Sequence, residues 1–181
     1  MQKAIKLLRV ADNSAVEATL STLAQKHLDD FEAFWKHRLQ PSNEEDRYWD
    51  WEKKNRIAAS SINYEKYAIE CEQMTQGLMI IEIDWHRSQV EPGKSIVYVD
   101  YLATAPWNRR SVQNPPQYRS VGTLLLLFAR SRSVALGYNG RVALHALPSA
   151  ERFYDKQNMM NFGSDPDKEN LVYFEWGSVR K

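Results

Sequence analysis

The amino-acid sequence predicts one α/β domain built around a mixed β-sheet. Its 181 residues suit a single domain with a sizeable core. Segments in which apolar side chains recur every second residue alternate with segments of helical periodicity, which is typical of an α/β arrangement. No repeat, low-complexity tract or linker interrupts the pattern, so residues 1–181 are expected to form one domain that ends in a solvated tail, Arg180 and Lys181.

The chain is expected to open with a short strand at residues 3–10. A long helix is predicted next, because Ser14 and Glu17 match a capping box, in which each side chain accepts a hydrogen bond from the other's backbone N–H. Apolar side chains then recur at helical spacing until Pro41 ends the helix. A second capping pattern predicts another helix over residues 42–58.

Three strands are predicted in the middle of the chain, where side chains alternate between apolar and polar. Residues 74–77 have the composition of a turn, and a Pro-Gly step marks the loop at residues 86–94. The strands are expected at residues 67–71, 78–85 and 96–105. Pro106 ends the last of them.

The second half is predicted to begin with a polar loop and continue with a strongly apolar helix. Gly137 stands where a helix usually ends in the left-handed conformation. The order of elements is therefore expected to be β-α-α-β-β-β-α-β-α-β-β. The elements of this half are a loop at 109–116, a helix at 122–136, a strand at 141–147, a helix at 149–158 and a hairpin ending at 171–176.

Composition and charge exclude several classes of protein. The net charge of +1 gives no strong field toward nucleic acid or an anionic membrane, so neither is expected as a partner. The single cysteine, Cys71, excludes an intramolecular disulfide and a cysteine-based zinc site, and the alternation around it predicts a buried thiol. The start of the chain lacks the apolar stretch of a signal peptide, and the longest apolar run, residues 124–129, is far shorter than the about 20 residues of a membrane span. A cytoplasmic location is expected, and no metal is expected.

The step from loop to helix at Ser120, Val121 and Gly122 is the clearest candidate site. The first turn of a helix leaves backbone N–H groups unpaired and carries the positive end of the helix dipole, so it attracts anions such as a pyrophosphate. Gly122 would let the anion approach the backbone closely, and Arg109, Arg110 and Arg119 could add charge. On this segment alone, a capped core helix beside a surface loop is the favoured interpretation, because the glycine-lysine signature of phosphate loops is absent.

Two further matches resemble the GNAT superfamily of acyl-CoA-dependent N-acetyltransferases. Residues 102–106 (Leu-Ala-Thr-Ala-Pro) and 117–123 (Gln-Tyr-Arg-Ser-Val-Gly-Thr) are similar to its L-A-V-x-P strand and its Q/R-x-x-G-x-G/A loop. Residues 150–156 (Ala-Glu-Arg-Phe-Tyr-Asp-Lys) are similar to its A-x-x-F-Y-x-K helix. The resemblance implies the GNAT fold, a mixed and mostly antiparallel sheet flanked by helices, whose fourth and fifth strands splay apart.

Three departures from the family pattern bear on activity. Ser120 replaces the first glycine of the loop, and a serine fits there if its φ is negative or if the phosphate lies slightly further away. Asn158 replaces the glycine that follows the tyrosine helix, a mild change because Asn tolerates the left-handed conformation. The insertion at residues 110–116 lengthens the preceding loop. Because of these changes, a catalytically inactive relative of the family remains an alternative interpretation.

The resemblance implies that acetyl-CoA binds between the splayed strands and donates its acetyl group to an amine. Tyr154 would lie near the thioester sulfur and protonate the leaving thiolate as the general acid. The backbone of the last strand residues would pair with the pantetheine arm, and the loop would hold the pyrophosphate. The implied cofactor residues are Leu102, Ala103, Thr104, Gln117, Arg119, Ser120, Val121, Gly122 and Thr123.

The base that takes a proton from the attacking amine is expected among acidic residues and one histidine on neighbouring strands. Asp100 and Glu82 are the first candidates and His145 the third. Each has an alternative structural role: a salt bridge for the carboxylates, and a satisfied strand residue for the histidine.

The acceptor is not identified by the sequence. In many GNAT relatives the region after the first helix forms a wall of the acceptor pocket. Here Tyr48, Trp49 and Trp51 lie among acidic residues and would suit a cationic amine. Aromatic side chains that face the core, with solvated acids, are the favoured interpretation. The rival function is a non-catalytic module of the same fold that binds CoA as a sensor or interacts with other proteins, and a homodimer is possible.

Overall fold

The computed structural model describes residues 1–179, so the tail at Arg180 and Lys181 lies outside the described residues. Nine strands form one mixed sheet in the order β6-β1-β2-β3-β4-β5-β7-β9-β8, with helices flanking it. This is the predicted fold class. Among residues 1–179 there is no helix with the length and apolar character needed to cross a membrane.

The first hairpin corrects the prediction of a helix at Ser14. Strands β1 (Gln2–Arg9) and β2 (Ala15–Thr22) pair antiparallel over their whole length, from Gln2 opposite Ser21 to Leu8 opposite Ala15. Val16, Ala18 and Leu20 alternate with exposed or polar neighbours, as a strand with one buried face requires. The ladder to β1 outweighs the local capping pattern, and the Ser14 hydroxyl instead donates to Asp12.

The predicted helix exists only in its second half. It comprises α1 (Gln25–Asp30), a π-helical turn (Phe31–Trp35) and α2 (Lys36–Leu39). Residues 45–48 then form a 3₁₀ turn, and α3 (Trp51–Ala59) begins at Asp50, whose side chain accepts the N–H of Lys53 at 2.8 Å. The cap is therefore Asp50 and not Ser42, because Ser42 donates to the carbonyl of Leu39 instead.

The middle strands are confirmed with shifted bounds. They are β3 (Tyr64–Cys71), β4 (Met74–Glu82) and β5 (Val97–Thr104). The chain reverses at Glu72 and Gln73, both in the left-handed region, so the predicted turn at residues 74–77 is wrong and Gly77 lies inside β4. Cys71 is buried, as predicted.

The second half follows the predicted order, with one short added strand. β6 (Tyr118–Arg119) pairs with β1, and α4 (Val121–Ala135) ends before Gly137, whose φ is 79°. The remaining elements are β7 (Val142–Ala146), α5 (Glu151–Lys156), β8 (Met160–Asp165) and β9 (Leu171–Trp176).

The residues form two compact units by their internal contacts. Unit 1 comprises residues 1–80 and 101–125, and its core is rich in large aromatic side chains, including Phe31, Trp35, Trp51 and Trp107. Unit 2 comprises residues 81–100 and 126 onward, with a smaller cluster of Ile96, Tyr98, Ala143 and Tyr173. The expectation of a single domain remains a prediction.

Strands β5 and β7 pair in parallel. They pair only at Val97 with Val142 and at Tyr98 with Ala143. Pairing ends there although β5 continues to Thr104 and β7 to Ala146. This short register is what the predicted splay of these two strands requires.

Candidate active site

The loop before α4 is anchored on both sides in unit 1. Tyr118 is fully buried, its N–H is bound by the Asn108 side chain at 3.0 Å, and its hydroxyl donates to Glu72 at 2.6 Å. Burial, together with this carboxylate, raises the pKa of Tyr118 to about 12, so its hydroxyl stays protonated. The carbonyl of Gln117 accepts the N–H of Val10 at 2.9 Å. These contacts fix the chain directly before the helix.

Ser120 takes the left-handed conformation, which a glycine would adopt without strain. Its φ is 70°, so the negative φ under which a serine was expected to fit is not what the structure has. Its carbonyl accepts the N–H of Leu124 at 2.9 Å and so closes the first turn of α4. The N–H groups of Val121, Gly122 and Thr123 precede that turn and have no partner within the helix.

Gly77 allows the start of α4 to lie close to the sheet. A β-carbon at this position would come within 2.8 Å of Val121 Cγ1 and 2.9 Å of Leu125 Cδ1, and it would lie 3.6 Å from the carbonyl oxygen of Ala103. Real β-carbons do not tolerate the first two distances. Gly77 therefore brings the predicted pyrophosphate turn next to the predicted pantetheine strand, within unit 1.

Arg109 is not available as a phosphate ligand. Its guanidinium binds Asp46 through two nitrogens at 2.6 and 2.7 Å and Glu44 at 2.8 Å, and its Nε donates to the Thr104 carbonyl at 2.8 Å. Burial alone would lower the pKa of Arg109, but the two carboxylates outweigh this effect and the pKa is raised. The guanidinium therefore stays positively charged, and the carboxylates neutralise its charge. Arg110 and Arg119 are exposed.

At the end of β5, where the cofactor strand was predicted, backbone groups have identified hydrogen-bond partners. The N–H of Ala105 donates to the carbonyl of Gln76 on β4 at 2.9 Å. The carbonyl of the preceding residue, Thr104, accepts from the Arg109 side chain instead. All three side chains are buried or half-buried.

Glu82, a predicted base, is buried and surrounded by donors in unit 2. Its carboxylate accepts the N–H of Asp84 at 2.6 Å, the N–H of Trp85, and a hydrogen bond with His86 Nδ1 at 2.6 Å. Burial raises the pKa of Glu82, but these hydrogen bonds outweigh burial and lower it. A carboxylate stabilised in this way is a weak base.

His145 lies in a chain of polar contacts on β5, β7 and β8. Its Nδ1 is 2.7 Å from the Tyr98 hydroxyl, and its Nε2 is 3.0 Å from Asp165 Oδ2. Burial lowers the pKa of His145, and Asp165 offsets part of this effect. With Nε2–H donating to Asp165, the lone pair of Nδ1 faces the Tyr98 hydroxyl, so a proton can pass from Tyr98 to a neutral imidazole.

Tyr98 joins the two predicted base residues. Its ring stacks on His86 at 3.8 Å between centroids, and His86 in turn binds Glu82. Glu82 and His145 therefore belong to one cluster of unit 2, and the half-buried Asp100 follows Tyr98 by two residues on β5. Tyr98, His86 and Asp165 were not predicted as site residues; the spacing that puts Tyr98 and Asp100 on one face of the strand was the available signal for Tyr98.

Tyr154 is buried on α5. Its ring packs on Phe153 at 5.0 Å and on Phe174 at 5.7 Å between centroids. Among residues 1–179 its hydroxyl has no hydrogen-bond partner, and burial raises its pKa. The hydroxyl is therefore protonated and can donate its proton. Asn158 has a φ of 56°, the left-handed conformation that was expected to be tolerated there.

Comparison with known proteins supports the fold. No protein-family model and no curated protein sequence matches the chain. Solved structures of acetyltransferases do match: the PaiA N-acetyltransferase of Thermoplasma acidophilum in complex with coenzyme A is 12% identical, with a TM-score of 0.60 over 90% of this chain and 99% of that one.

Two other structures give the same result. The GNAT domain of PAT from S. lividans is 12% identical, with a TM-score of 0.59 over 97% of this chain and 96% of that one. The N-acetyltransferase YlbP of Bacillus subtilis, in complex with coenzyme A, is 16% identical, with a TM-score of 0.56 over 88% and 96%. The chain has the fold of the GNAT acetyltransferases.

Proposed function

We propose that this protein is an N-acetyltransferase that transfers the acetyl group of acetyl-CoA directly to a primary amine. The observation that carries the proposal is the start of α4, which Gly77 allows to lie close to the sheet and whose first three N–H groups have no partner within the helix. The likeness in fold to acetyltransferases that bind coenzyme A supports it.

The proposed cofactor contacts all come from unit 1. The N–H groups of Val121, Gly122 and Thr123 bind the pyrophosphate, helped by the helix dipole. Leu102 and Thr104 offer backbone groups to the pantetheine amides. The Thr104 carbonyl already accepts from Arg109, so we assign the pantetheine acceptor to the carbonyl of Leu102.

The proposed proton transfers use residues of unit 2. The amine must lose a proton to attack the thioester. We assign its removal to the Tyr98 oxygen, which takes the amine proton as the hydroxyl proton of Tyr98 passes to His145 Nδ1, and Asp165 orients the imidazole. This assignment prefers His145 to Glu82, whose lone pairs are already bound. As the C–N bond forms and the C–S bond breaks, Tyr154 donates a proton to the departing thiolate.

The cofactor part is tested by adding acetyl-CoA and measuring the melting temperature, which should rise. Gly122→Asp places a carboxylate where the pyrophosphate binds and should abolish the rise. Ser131→Asp adds the same charge at an exposed position of α4 and is the matched control. Equal binding by the two variants, measured by calorimetry, would place the cofactor elsewhere.

Catalysis is tested by measuring CoA release with a panel of primary amines. Turnover with any amine supports the acetyltransferase. Tight CoA binding without turnover on any amine supports the rival, a CoA-binding module without activity.

The role of Tyr154 is tested by Tyr154→Phe, which removes one hydroxyl that bonds to no described residue. We expect the melting temperature and the KM for acetyl-CoA to change little. The kcat should fall by about 10²-fold or more, because the proton is needed mainly in the transition state. A near-normal kcat would assign this side chain to packing against Phe174 alone.

A further inference from the structure

Two aromatic side chains of unit 1 lie over a lysine ammonium group, and a third aromatic ring packs against both of them. The Nζ atom of Lys54 lies 3.4 Å from the ring centroid of Tyr101 and 4.6 Å from that of Trp49. Trp49 and Tyr101 meet edge to face at 5.2 Å, and the Trp51 ring lies 6.2 Å from Trp49 and 6.5 Å from Tyr101. We call Trp49, Trp51 and Tyr101 the aromatic cage.

The cage is a recognition site for a cation by its chemistry. The faces of aromatic rings attract ammonium groups, more strongly where water is excluded. Trp51 is 1% exposed, so one wall of the cage is closed to solvent. Trp49, Tyr101 and Lys54 are half-buried, so the cage can be reached from solvent.

The position of Tyr101 connects the cage with the cofactor strand. Tyr101 directly precedes Leu102 on β5. If the pyrophosphate binds at the start of α4, near Ala103, a pantetheine arm that follows β5 toward its N-terminal half passes Tyr101. Tyr101 is then the next residue toward the reactive end of the cofactor.

A cation held by aromatic faces is a poor nucleophile. The cage stabilises the protonated form of a nitrogen, whereas attack on the thioester needs the neutral form. The nitrogen in the cage is therefore not the one that reacts.

We propose that the aromatic cage binds the non-reacting ammonium group of an acceptor that carries two amino groups, and that Lys54 occupies this place until the acceptor displaces it. The identification of the bound cation as the acceptor rests on the proposed acetyl transfer, whereas the binding of a cation to the cage does not depend on it. The acceptor class is thus an alkyl diamine.

Lys54 is an effective competitor because it is tethered. It follows Trp51 by three residues on α3, which places the two side chains on one face of the helix. A tethered group has a high effective concentration at its site, so removal of Lys54 should strengthen the binding of an external cation.

The first experiment measures binding of tetramethylammonium, which cannot be acetylated, by calorimetry and tryptophan fluorescence. Lys54→Ala should bind it at least about tenfold more tightly than the wild type. Lys53→Ala, the exposed neighbour on the same helix, is the matched control and should bind as the wild type does. Trp49→Leu in the Lys54→Ala background should lose the gain. The proposal is overturned if Lys54→Ala binds no more tightly than Lys53→Ala, or if Trp49→Leu keeps the gain.

The second experiment compares 1,4-diaminobutane with n-butylamine as acceptors. The wild type should have the higher kcat/KM for the diamine, and Trp49→Leu should reduce that ratio by about tenfold. A ratio unchanged by Trp49→Leu would overturn the assignment to the acceptor. If no amine is acetylated while tetramethylammonium binds as expected, the proposed acetyl transfer fails and the cation site stands.

Discussion

Ser120 shows how one residue can carry backbone strain at a candidate site. Its φ of 70° places the β-carbon close to the following carbonyl oxygen, a cost that glycine does not have. The position is fixed on one side by the buried Tyr118 and on the other by the first turn of α4. The loop therefore keeps the conformation of a glycine-rich turn with a serine in it.

Replacing Ser120 by glycine should relieve this strain. We expect Ser120→Gly to raise the free energy of unfolding by about 1 kcal/mol in urea denaturation. Ser111→Gly, at an exposed position of the same loop with no positive φ, should be neutral or destabilising. A less stable Ser120→Gly variant would mean that the serine side chain contributes more than the strain costs.

His145 should determine the acidic side of the pH–rate profile. Burial lowers its pKa, so the imidazole stays neutral down to pH values below the ordinary value of about 6.5. The rate should therefore hold constant through that value and fall only at lower pH, as protonation removes the base.

The matching variant is His145→Gln, for which kcat should fall by about 10²–10⁴-fold and the acidic limb should shift or vanish. His37→Gln changes an exposed histidine and should leave the profile as it is. An unchanged profile in His145→Gln would leave the deprotonation to solvent or to the amine itself.

At the scale of elements, Arg109 joins the segment before α3 to the end of β5. It binds two carboxylates of residues 44–46 and the last carbonyl of the strand, with little exposure of either partner. Without its partner, the guanidinium or either carboxylate would be an unpaired charge with little access to water.

Arg109→Met should lower the free energy of unfolding by about 3–5 kcal/mol, because it leaves Asp46 and Glu44 buried without a counter-charge. Chemical denaturation measures this, with the exposed Arg110→Met as the control. The loss should be partly recovered in Arg109→Met combined with Asp46→Asn. A loss below about 1 kcal/mol would show that water can reach and solvate the two carboxylates.

At the scale of the whole molecule, the buried His27 and the half-buried His145 make stability depend on pH. Burial lowers the pKa of His145 and of His27, whose Nδ1 accepts the N–H of Ala24 at 2.9 Å. The unfolded chain therefore binds more protons than the folded one between each lowered pKa and about 6.5. Their contribution is complete above pH 6.5 and is lost as the pH falls below it.

The free energy of unfolding should thus decrease between pH 7.5 and 5.5, a range in which the ordinary carboxylates remain ionised. Urea denaturation at the two values measures the decrease. The decrease should be smaller in His27→Gln and His145→Gln and unchanged in His37→Gln. A wild-type stability that is flat over this range would contradict the assigned direction of both pKa values.

Local signals in the sequence determined the second half of the fold. The apolar helix at residues 121–135, its end before Gly137, and the strand after it depend on contacts between near neighbours, which sequence periodicity records. The ordered motifs also placed the candidate cofactor loop and Tyr154, whose roles remain proposals.

Only the tertiary structure decided the features that depend on distant pairs. The hairpin of β1 and β2 is stabilised by a ladder of hydrogen bonds that no local pattern reveals. The capping signal at Ser14 therefore led to the wrong prediction of a helix. Gly77 resembles a turn residue in the sequence, but the structure shows that a β-carbon there would clash with Val121 and Leu125. Tyr98 and His145 are 47 residues apart and meet because β5 and β7 pair in parallel. Periodicity reports which face of an element is buried, but not which partner covers it, and the chemistry proposed for this protein depends on those partners.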